Sequence, residues 1–240
     1  PMAFLAGLLE AVAEKGVKIF ELTEVVECRG EGPLEIVTRS GHTVTAGDVI
    51  TATYAPFDNP KPTHGKKGMY TSYVLNARIP KDRLTEGLYL SLDNPYNYLR
   101  VDTGEKHDYL MAGGEDHRSE FGFMEDRSFR ALEEYVQRLF PRLKYTIEEK
   151  WTGSILESSD GLPLIGEYAP HRYLATAFSG NGMTYAALAG TMIADEIMKR
   201  KNPYARIYDP RRSLLTKAAM YKFDDYLEEF FGGVVKNLLK

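Results

Sequence analysis

Apolar residues recur along the chain at two spacings, which predict helices in some stretches and strands in others. A first helix is predicted by apolar residues at helical spacing, namely Phe4, Leu5, Leu8, Leu9 and Val12. Gly16 stands where the left-handed residue that ends a helix is expected. Residues 17–28 then predict one or two strands. Residues 33–53 alternate apolar and polar positions around the turn RSGH, which predicts a hairpin that feeds a buried strand at 49–53.

The pattern changes after residues 54–68, a segment rich in proline and glycine that predicts a crossing into a second region. From residue 69 to residue 111, stretches rich in tyrosine, leucine and valine predict a series of strands. A helix follows, with Asp126 or Ser128 as its expected cap and Pro141 after its end.

The remaining chain returns to strand at residues 145–156 and again before the glycines at 180 and 182. A helix is predicted at 184–199, and a second, amphipathic helix at 213–231. Long strand-rich stretches with a few separate helices indicate an α+β protein.

Composition and charge narrow the class of protein. The chain has 43% hydrophobic and 27% charged residues, which is typical of a globular protein. No apolar run approaches the roughly 20 residues of a membrane span, so no membrane contact is expected. The net charge of −4, with scattered basic residues, gives little support for nucleic-acid binding. A single cysteine, Cys28, excludes an internal disulfide framework and predicts a cytoplasmic protein.

The segment FSGNGMTYAALAG places Asn181 between two glycines and opens a helix of small residues. Gly180 and Gly182 lack the Cβ atoms that would keep a ligand away from the backbone. The start of a helix attracts anions and polarised oxygens, Asn181 can cap that helix or bind a ligand, and Thr184 adds a hydroxyl. A smooth stripe for a backbone or a flat ring is formed by Gly182, Ala186, Gly190 and Ala194. A tight turn before a closely packed helix is the alternative, because glycine spacing alone is weak evidence.

Two further motifs extend this pattern, Trp151-Thr152-Gly153 and the DGLPLIG of residues 160–166. Together with residues 175–190 they resemble the FAD-dependent amine and amino-acid oxidoreductases of the D-amino-acid oxidase type, which include glycine, sarcosine and glutamylputrescine oxidases. HDYLMAGGEDH and NPYARIYDPRR are similar to the branch in which a Rieske iron–sulfur domain follows. The resemblance covers nearly the whole chain.

The resemblance implies an α+β fold with a strand-rich, mixed or antiparallel substrate-domain sheet and helices, beside an incomplete α/β FAD-binding lobe. Residues 1–54 and 151–205 are expected to form the C-terminal part of the FAD-binding lobe. Residues 55–150 are expected to form the substrate-binding lobe, and residues 206–240 a helical extension.

FAD contacts are implied at three places in the sequence. Val25 is expected beside the adenine, and Ala52 and Thr53 next to the phosphates. The flavin ring or ribityl chain is expected at the start of the small-residue helix, at Ser179, Gly180, Asn181, Gly182, Met183 and Thr184.

Substrate contacts are expected from the strand-rich middle region, from Arg100, Tyr98 and Tyr70. Arg100 can pair a carboxylate in bidentate fashion, or alternatively form a surface or inter-strand ion pair. The tyrosines line a pocket or, alternatively, pack on the sheet. Residues 115–117 form either a substrate loop or a solvated loop, and Ser154 stands where relatives that act on amino acids often carry Arg-Pro. No catalytic acid or base is implied because the flavin accepts the hydride, and the dispersed histidines predict no metal site.

Two motifs that an intact relative would carry are missing from these 240 residues, the G-x-G-x-x-G fingerprint and the cysteine–histidine pairs of a Rieske cluster. The chain is therefore expected to be a fragment of an FAD-dependent oxidoreductase of an amine or amino acid. Alternatively, it is a non-catalytic module that binds no FAD alone and needs a partner chain or the missing N-terminal lobe. Apolar surface left open by that lobe predicts dimerisation.

Overall fold

A computed structural model describes four stretches of the chain, residues 2–57, 67–91, 96–119 and 125–212. The chain divides into two compact units, the first formed by residues 1–67 with 157–240 and the second by residues 68–156. The assignment of the predicted lobes to FAD and substrate stays a prediction. The predicted helix at 213–231 and most of the predicted crossing at 54–68 lie outside the described residues.

The described residues form short helices and many strands. The helices are α1 (Met2–Glu14), α2 (Glu125–Leu139), α3 (Gly182–Ile197) and α4 (Ala205–Tyr208). The strands are β1 (Val25–Arg29), β2 (Leu34–Thr38), β3 (Thr43–Ala46), β4 (Val49–Thr51), β5 (Lys67–Pro80), β6 (Gly87–Leu90), β7 (Asn97–Thr103), β8 (His107–Arg118), β9 (Thr146–Ser158), β10 (Leu164–Ala169) and β11 (Arg172–Thr176).

The first unit contains two three-stranded sheets, in the orders β1-β2-β3 and β10-β11-β4. The predicted turn RSGH joins β2 to β3, where the N–H of Gly41 donates to the Thr38 carbonyl at 2.9 Å. In the second sheet β10 is antiparallel to β11, and β4 is parallel to it. Helix α3 packs on β10 and β11 through an apolar cluster of Ile165, Tyr173, Ala175, Ala189, Met192 and Ile193.

Helix α1 ends as its sequence predicts. Gly16 has a φ of +83°, its N–H donates to the Ala13 carbonyl at 2.9 Å, and the N–H of Val17 donates to the Val12 carbonyl at 3.1 Å. This pair of bonds satisfies carbonyls that a helix end leaves open. No residue of α1 is buried, although the helix carries the large apolar side chains of Phe4, Leu5, Leu8 and Leu9.

The strand predicted at residues 17–28 is wrong in its first part, because only Val25–Arg29 is extended and paired. Residues 17–24 belong to no ladder of the described chain, and the backbone turns at Leu22, whose φ is +52°. An extended segment needs a neighbouring strand for its N–H and C=O groups, and none is described beside this one.

The second unit is a five-stranded sheet in the order β6-β7-β8-β5-β9. Helix α2 covers one face and closes a core that includes Tyr73, Leu75, Ala77, Ile79, Leu99, Val101, Leu110, Ala112, Leu132 and Val136. The opposite face, called here the open face, carries the alternate residues of the same strands. The predicted α2 caps are wrong, because Asp126 and Ser128 lie within the helix and a cap residue needs non-helical backbone angles.

Among the described residues, no helix is long and apolar enough to cross a membrane.

Candidate functional site

The glycine segment forms a strongly bent turn between β11 and α3. Ala177, Ser179 and Gly180 all have positive φ angles, of 61°, 49° and 77°. The N–H of Asn181 closes the turn by donating to the Phe178 carbonyl at 2.8 Å. A non-glycine residue in this region costs about 1–3 kcal/mol, and such strain concentrates at binding and catalytic sites. The bend therefore favours a ligand-binding turn over an ordinary connection.

Asn181 occupies the predicted cap position of α3, where its carbonyl accepts the Tyr185 N–H at 3.0 Å, but its side chain does not cap the helix. The Nδ2 of Asn181 instead donates to the Ser179 carbonyl at 3.1 Å. The backbone N–H groups of the first turn of α3 are therefore not occupied by this side chain. Gly182, Met183 and Thr184 are exposed beside them.

Two features of this turn fit a bound group. The Oγ of Ser179 is buried without a hydrogen-bond partner in the described chain, although buried hydroxyls normally have one. A Cβ added at Gly180 or Gly182 would meet no atom within 4 Å, so there is free space at both. Along the predicted stripe, Gly182, Ala186, Gly190 and Ala194 are all exposed. The turn thus combines an orphaned hydroxyl, open backbone donors and room for a ligand.

The parallel pairing of β4 with β11 brings a distant part of the sequence to this turn. Thr51 at the end of β4 lies opposite Leu174 in β11, so both strands finish at the same edge of the sheet. Ala52 and Thr53 therefore leave the sheet where residues 177–184 leave it. The Thr176 hydroxyl, at the end of β11, donates to the Tyr54 carbonyl and so links β11 to the segment that follows β4. Sites in open α/β sheets form at such carboxyl ends.

Val25 is separate from this edge in the sheet order, because it begins β1 in the other sheet of the first unit. Arg172 at the start of β11 ties the two sheets together, since its guanidinium donates to the carbonyls of Cys28 at 3.1 Å and Gly30 at 2.9 Å. The Cys28 carbonyl lies near the far end of β1 from Val25, and the Gly30 carbonyl lies just after that end.

The three predicted substrate residues share the open face of the second unit. Tyr98 lies opposite Gly113, and Tyr70 opposite Arg118, whose guanidinium carbon stands 5.5 Å from the Tyr70 ring centroid. Arg100 pairs with Asp102 of its own strand, with its Nε 2.9 Å from Oδ1. The guanidinium is thus partly neutralised before any carboxylate arrives.

The interpretation of residues 115–117 as a loop is wrong, because they belong to strand β8. The strand bulges there: β8 advances three residues from Gly114 to His117 while β5 advances two, from Tyr73 to Thr71. His117 is buried and stacks on the Tyr73 ring with centroids 5.4 Å apart. The bulge leaves Glu115 in the left-handed region, with a φ of +52°.

Sequence reasoning missed a largely buried ion pair in the first unit. Arg212 donates to both carboxylate oxygens of Asp160 at 2.8 Å, and also to the Leu162 and Pro163 carbonyls at 2.7 and 2.9 Å. The pair fastens the DGLP turn to the segment after α4. Burial raises the pKa of Asp160, but the hydrogen bonds from Arg212, Leu162 and Ser158 outweigh it and hold that pKa below its usual value. No local spacing signals a pair 52 residues apart in sequence.

A cavity of about 610 Å³ lies in the second unit between α2 and β9, lined by residues that include Phe129, Arg130, Glu133, Lys150 and Trp151. It contains none of the predicted site residues. Lys150 binds Glu133 at 2.6 Å and stands over the Phe129 ring, so these two charges of the lining compensate each other. In the described chain, no group of three or more histidine, cysteine, aspartate or glutamate side chains is placed to hold a metal ion.

Comparisons with known proteins agree on one family. A family profile described as "DAO: FAD dependent oxidoreductase" matches residues 1–196. YhfW of Bacillus subtilis, whose name describes a Rieske 2Fe-2S iron–sulfur protein, is 32% identical over 220 residues, which cover 88% of this chain and 42% of that protein. The gamma-glutamylputrescine oxidoreductase of Escherichia coli is 30% identical over 206 residues, which cover 81% of this chain and 46% of that protein. The chain thus spans less than half the length of these relatives.

The fold is also found among solved structures. The glycine oxidase of Geobacillus kaustophilus superposes with a TM-score of 0.71 at 19% identity, over 87% of this chain and 57% of that one. This likeness confirms the predicted α+β fold class.

Proposed function

The chain belongs to the DAO family of FAD-dependent oxidoreductases, and we propose on that premise that it takes part in the oxidation of an amine or an amino acid. FAD, when bound, supplies the chemistry by accepting a hydride from the carbon that carries the nitrogen. The chain's own residues would orient the cofactor and the substrate. We expect this to take place in the cytoplasm.

The observation that supports the proposal is the edge of the sheet where β4 and β11 both end and α3 begins. The strained turn at residues 177–180, the exits at Ala52 and Thr53, and the open start of α3 come together there from distant parts of the sequence. An open helix start favours negative charge and polarised oxygens. Backbone donors from Gly180 to Thr184 would hold carbonyl or ribityl oxygens, and the Ser179 hydroxyl would gain a partner that it lacks among the described residues.

The roles at either end of the cofactor follow from the resemblance. Val25 would contact the adenine. Tyr70, Tyr98 and Arg100 would contact the substrate from the open face of the second unit. No side chain need act as a general acid or base in this scheme.

A second candidate function is a non-catalytic module that binds FAD only with a partner chain or an N-terminal lobe. The absence of G-x-G-x-x-G from the 240 residues favours it, because that loop is what usually holds the pyrophosphate. The exposed stripe on α3 and the exposed face of α1 supply surface for such a partner.

The test is an absorption spectrum of the full chain from about 300 to 600 nm, recorded after incubation with FAD and desalting. We expect Gly182→Val to reduce any retained flavin bands, because its side chain would fill the open space at the start of α3. Gly47→Val is the matched control, since a Cβ at Gly47 would also meet no atom within 4 Å and the residue lies outside the proposed edge. Bands retained equally by both variants would contradict the proposed edge, and a colourless protein in every case would favour the second candidate.

A further inference from the structure

The cavity between α2 and β9 in the second unit has the size of a small-molecule site. Its volume of about 610 Å³ falls within the roughly 300–1,000 Å³ that such pockets occupy. Helix α2 lines it with residues at the spacing of one helix face, namely Asp126, Phe129, Arg130 and Glu133. Strand β9 lines it with Lys150, Trp151 and Thr152. None of these residues is among those predicted to contact FAD or a substrate.

Two of the charges in the lining compensate each other. The Lys150 ammonium binds the Glu133 carboxylate at 2.6 Å and stands 5.2 Å from the centroid of the Phe129 ring. The Phe129 ring packs edge-on against Tyr73 of the core, with centroids 5.2 Å apart. The Lys150–Glu133 pair is therefore held in place by the packing of Phe129 and has little influence on the charge of a ligand.

Two opposite charges in the lining remain uncompensated. Within the part of the chain that the structure describes, Asp126 and Arg130 form no hydrogen bond and no ion pair, and both are exposed. They stand four residues apart on the same face of α2, a spacing at which Cβ atoms are about 5–6 Å apart. An exposed ion pair between them would be weak, so a ligand can replace it. The cavity therefore offers a carboxylate and a guanidinium side by side.

This pair of charges selects the class of ligand. A ligand with a single negative charge would be attracted by Arg130 and repelled by Asp126, and a ligand with a single positive charge would meet the reverse. A ligand that carries an ammonium and a carboxylate on one carbon atom can pair with both residues at once. A carboxylate also matches the parallel N–H donors of a guanidinium. The two charges therefore favour a zwitterion.

Trp151 indicates the nature of the rest of the ligand. Its side chain is 39% exposed, which leaves a large aromatic surface in the same cavity as the two charges. Covering this surface with an apolar group removes apolar area from water, which favours binding. Trp151 is also the sole tryptophan of the chain, so its fluorescence reports directly on this cavity.

We propose that this cavity binds a free α-amino acid with an apolar or aromatic side chain. Arg130 would pair with the α-carboxylate, Asp126 with the α-ammonium, and Trp151 would cover the side chain. No bond is made or broken, so the cavity acts as a binding site alone. The inference goes beyond the proposed function, because it needs no flavin and uses none of the residues predicted to bind one.

The experiment titrates the full chain, without flavin, against three probes that share a phenyl group and a two-carbon chain. The probes are L-phenylalanine, 3-phenylpropanoate, which lacks the ammonium, and 2-phenylethylammonium, which lacks the carboxylate. Binding is followed by Trp151 emission, excited where phenyl groups and tyrosines do not absorb, and by titration calorimetry. We expect L-phenylalanine to change the emission and to bind at least tenfold more tightly than either singly charged probe.

Two variants test the charges separately. Arg130→Gln should weaken L-phenylalanine binding at least tenfold and should not weaken 2-phenylethylammonium. Asp126→Asn should weaken L-phenylalanine binding by a similar factor and should not weaken 3-phenylpropanoate. Arg127→Gln is the matched control, because it removes the same charge as Arg130→Gln from an exposed residue of α2 outside the cavity lining, and it should leave all three affinities unchanged.

Arg100→Gln separates this cavity from the predicted substrate face. Loss of L-phenylalanine binding in Arg100→Gln but not in Arg130→Gln would mean that the amino acid binds on the open face, which would overturn the inference and support the proposed function. Binding that calorimetry detects without any change in Trp151 emission would also overturn the inference.

Equal affinity for the three probes, or no binding of L-phenylalanine by either measurement, would contradict the inference as well. The titration contains no flavin, so its result is independent of the absorption spectrum. Retained flavin bands without amino-acid binding in this cavity would leave the proposed function standing. Zwitterion-selective binding by a colourless protein would support the inference and count against FAD binding by this chain alone.

Discussion

The buried pair between Asp160 and Arg212 offers the sharpest test of the first unit. The two side chains are 10% and 11% exposed, and Arg212 directs donors to Asp160, Leu162, Pro163 and Asp209. Arg212→Met would keep an apolar stem of similar length and remove every one of these donors. Among the described residues, the largely buried Asp160 carboxylate would then keep Ser158 and the Leu162 N–H as its hydrogen-bond donors.

Removing one partner of a buried ion pair costs about 3–5 kcal/mol, because a charge is left without compensation. Domains of this kind are stable by only about 5–15 kcal/mol, so the loss should be plain in an unfolding curve. Replacing both partners, in Asp160→Asn with Arg212→Met, should cost much less than the sum of the single changes, since no charge is stranded. The exposed pair of Arg39 with Glu24 supplies the control, because Arg39→Met removes the same group where water replaces its partner.

The effect should also depend on pH in a defined direction. The pKa of Asp160 is lower in the folded protein than in the unfolded chain, so the unfolded chain binds more protons in acid. The contribution of the pair is therefore fully present above the ordinary carboxyl pKa of about 3.9 and is lost as the pH falls through the lower folded value. In Arg212→Met the stranded carboxyl should take up a proton more readily than in the wild type, because burial then raises its pKa without the compensating guanidinium. The difference in unfolding free energy between the wild type and Arg212→Met should therefore be largest near neutrality and shrink as the pH falls toward and below the ordinary carboxyl pKa.

The measurement is urea unfolding followed by far-UV circular dichroism at several pH values. Trp151, the sole tryptophan, lies in the second unit, so its emission gives a separate signal for that unit. An Arg212→Met curve that coincides with that of Arg39→Met would refute the argument. A loss that persists unchanged in acid would refute its electrostatic part.

Three further outcomes follow from the described contacts. Gly113→Ala should cost about 1–3 kcal/mol of unfolding free energy by displacing the Tyr98 ring, whereas Gly153→Ala, which meets no atom within 4 Å, should be near neutral in the same urea assay. Asp108→Ala should lower the midpoint of thermal unfolding, because the buried Asp108 carboxylate accepts the Asp82 N–H at 2.7 Å and the variant leaves that N–H without its acceptor. An unchanged midpoint would contradict this prediction. Light scattering should detect dimers or larger species, because α1 exposes apolar side chains. Leu8→Glu on α1 should reduce both this self-association and the binding of a hydrophobic dye. A wild-type monomer that binds no dye would contradict the prediction that the apolar surface of α1 drives association.

Local patterns were sufficient for most elements of the fold. The alternation in residues 33–53 predicts β2, β3 and β4, and the tyrosine- and valine-rich stretches predict the strands of the second unit. Gly16 ends α1 as predicted, because its left-handed conformation depends on the residue itself and the helix before it. In each case the deciding interactions lie within a few residues or across a short turn.

Predictions failed where a distant segment decides the outcome. Residues 17–24 have the composition of a strand but lack a paired neighbour in the described chain. The bulge at Glu115 depends on register between β5 and β8, and the fit of Tyr98 to Gly113 on register between β7 and β8. The Asp160–Arg212 pair is equally invisible to any local pattern. The predicted residues at the β4–β11 edge were identified through family motifs, and their binding of FAD stays a prediction.

The described edge supplies only part of what a dinucleotide requires, and this decides what the absorption spectrum tests. An exposed helix start stabilises a nearby negative charge by about 0.3–1 kcal/mol, which is small against the cost of immobilising a large cofactor. The pyrophosphate usually gains its main contacts from a glycine-rich loop that these 240 residues do not contain. Weak retention of FAD is therefore compatible with an intact edge, and the comparison of Gly182→Val with Gly47→Val is more informative than the absolute amount of flavin. A chain that held FAD firmly through desalting would mean that contacts to the ring and the adenine suffice without the loop, and it would exclude the non-catalytic module.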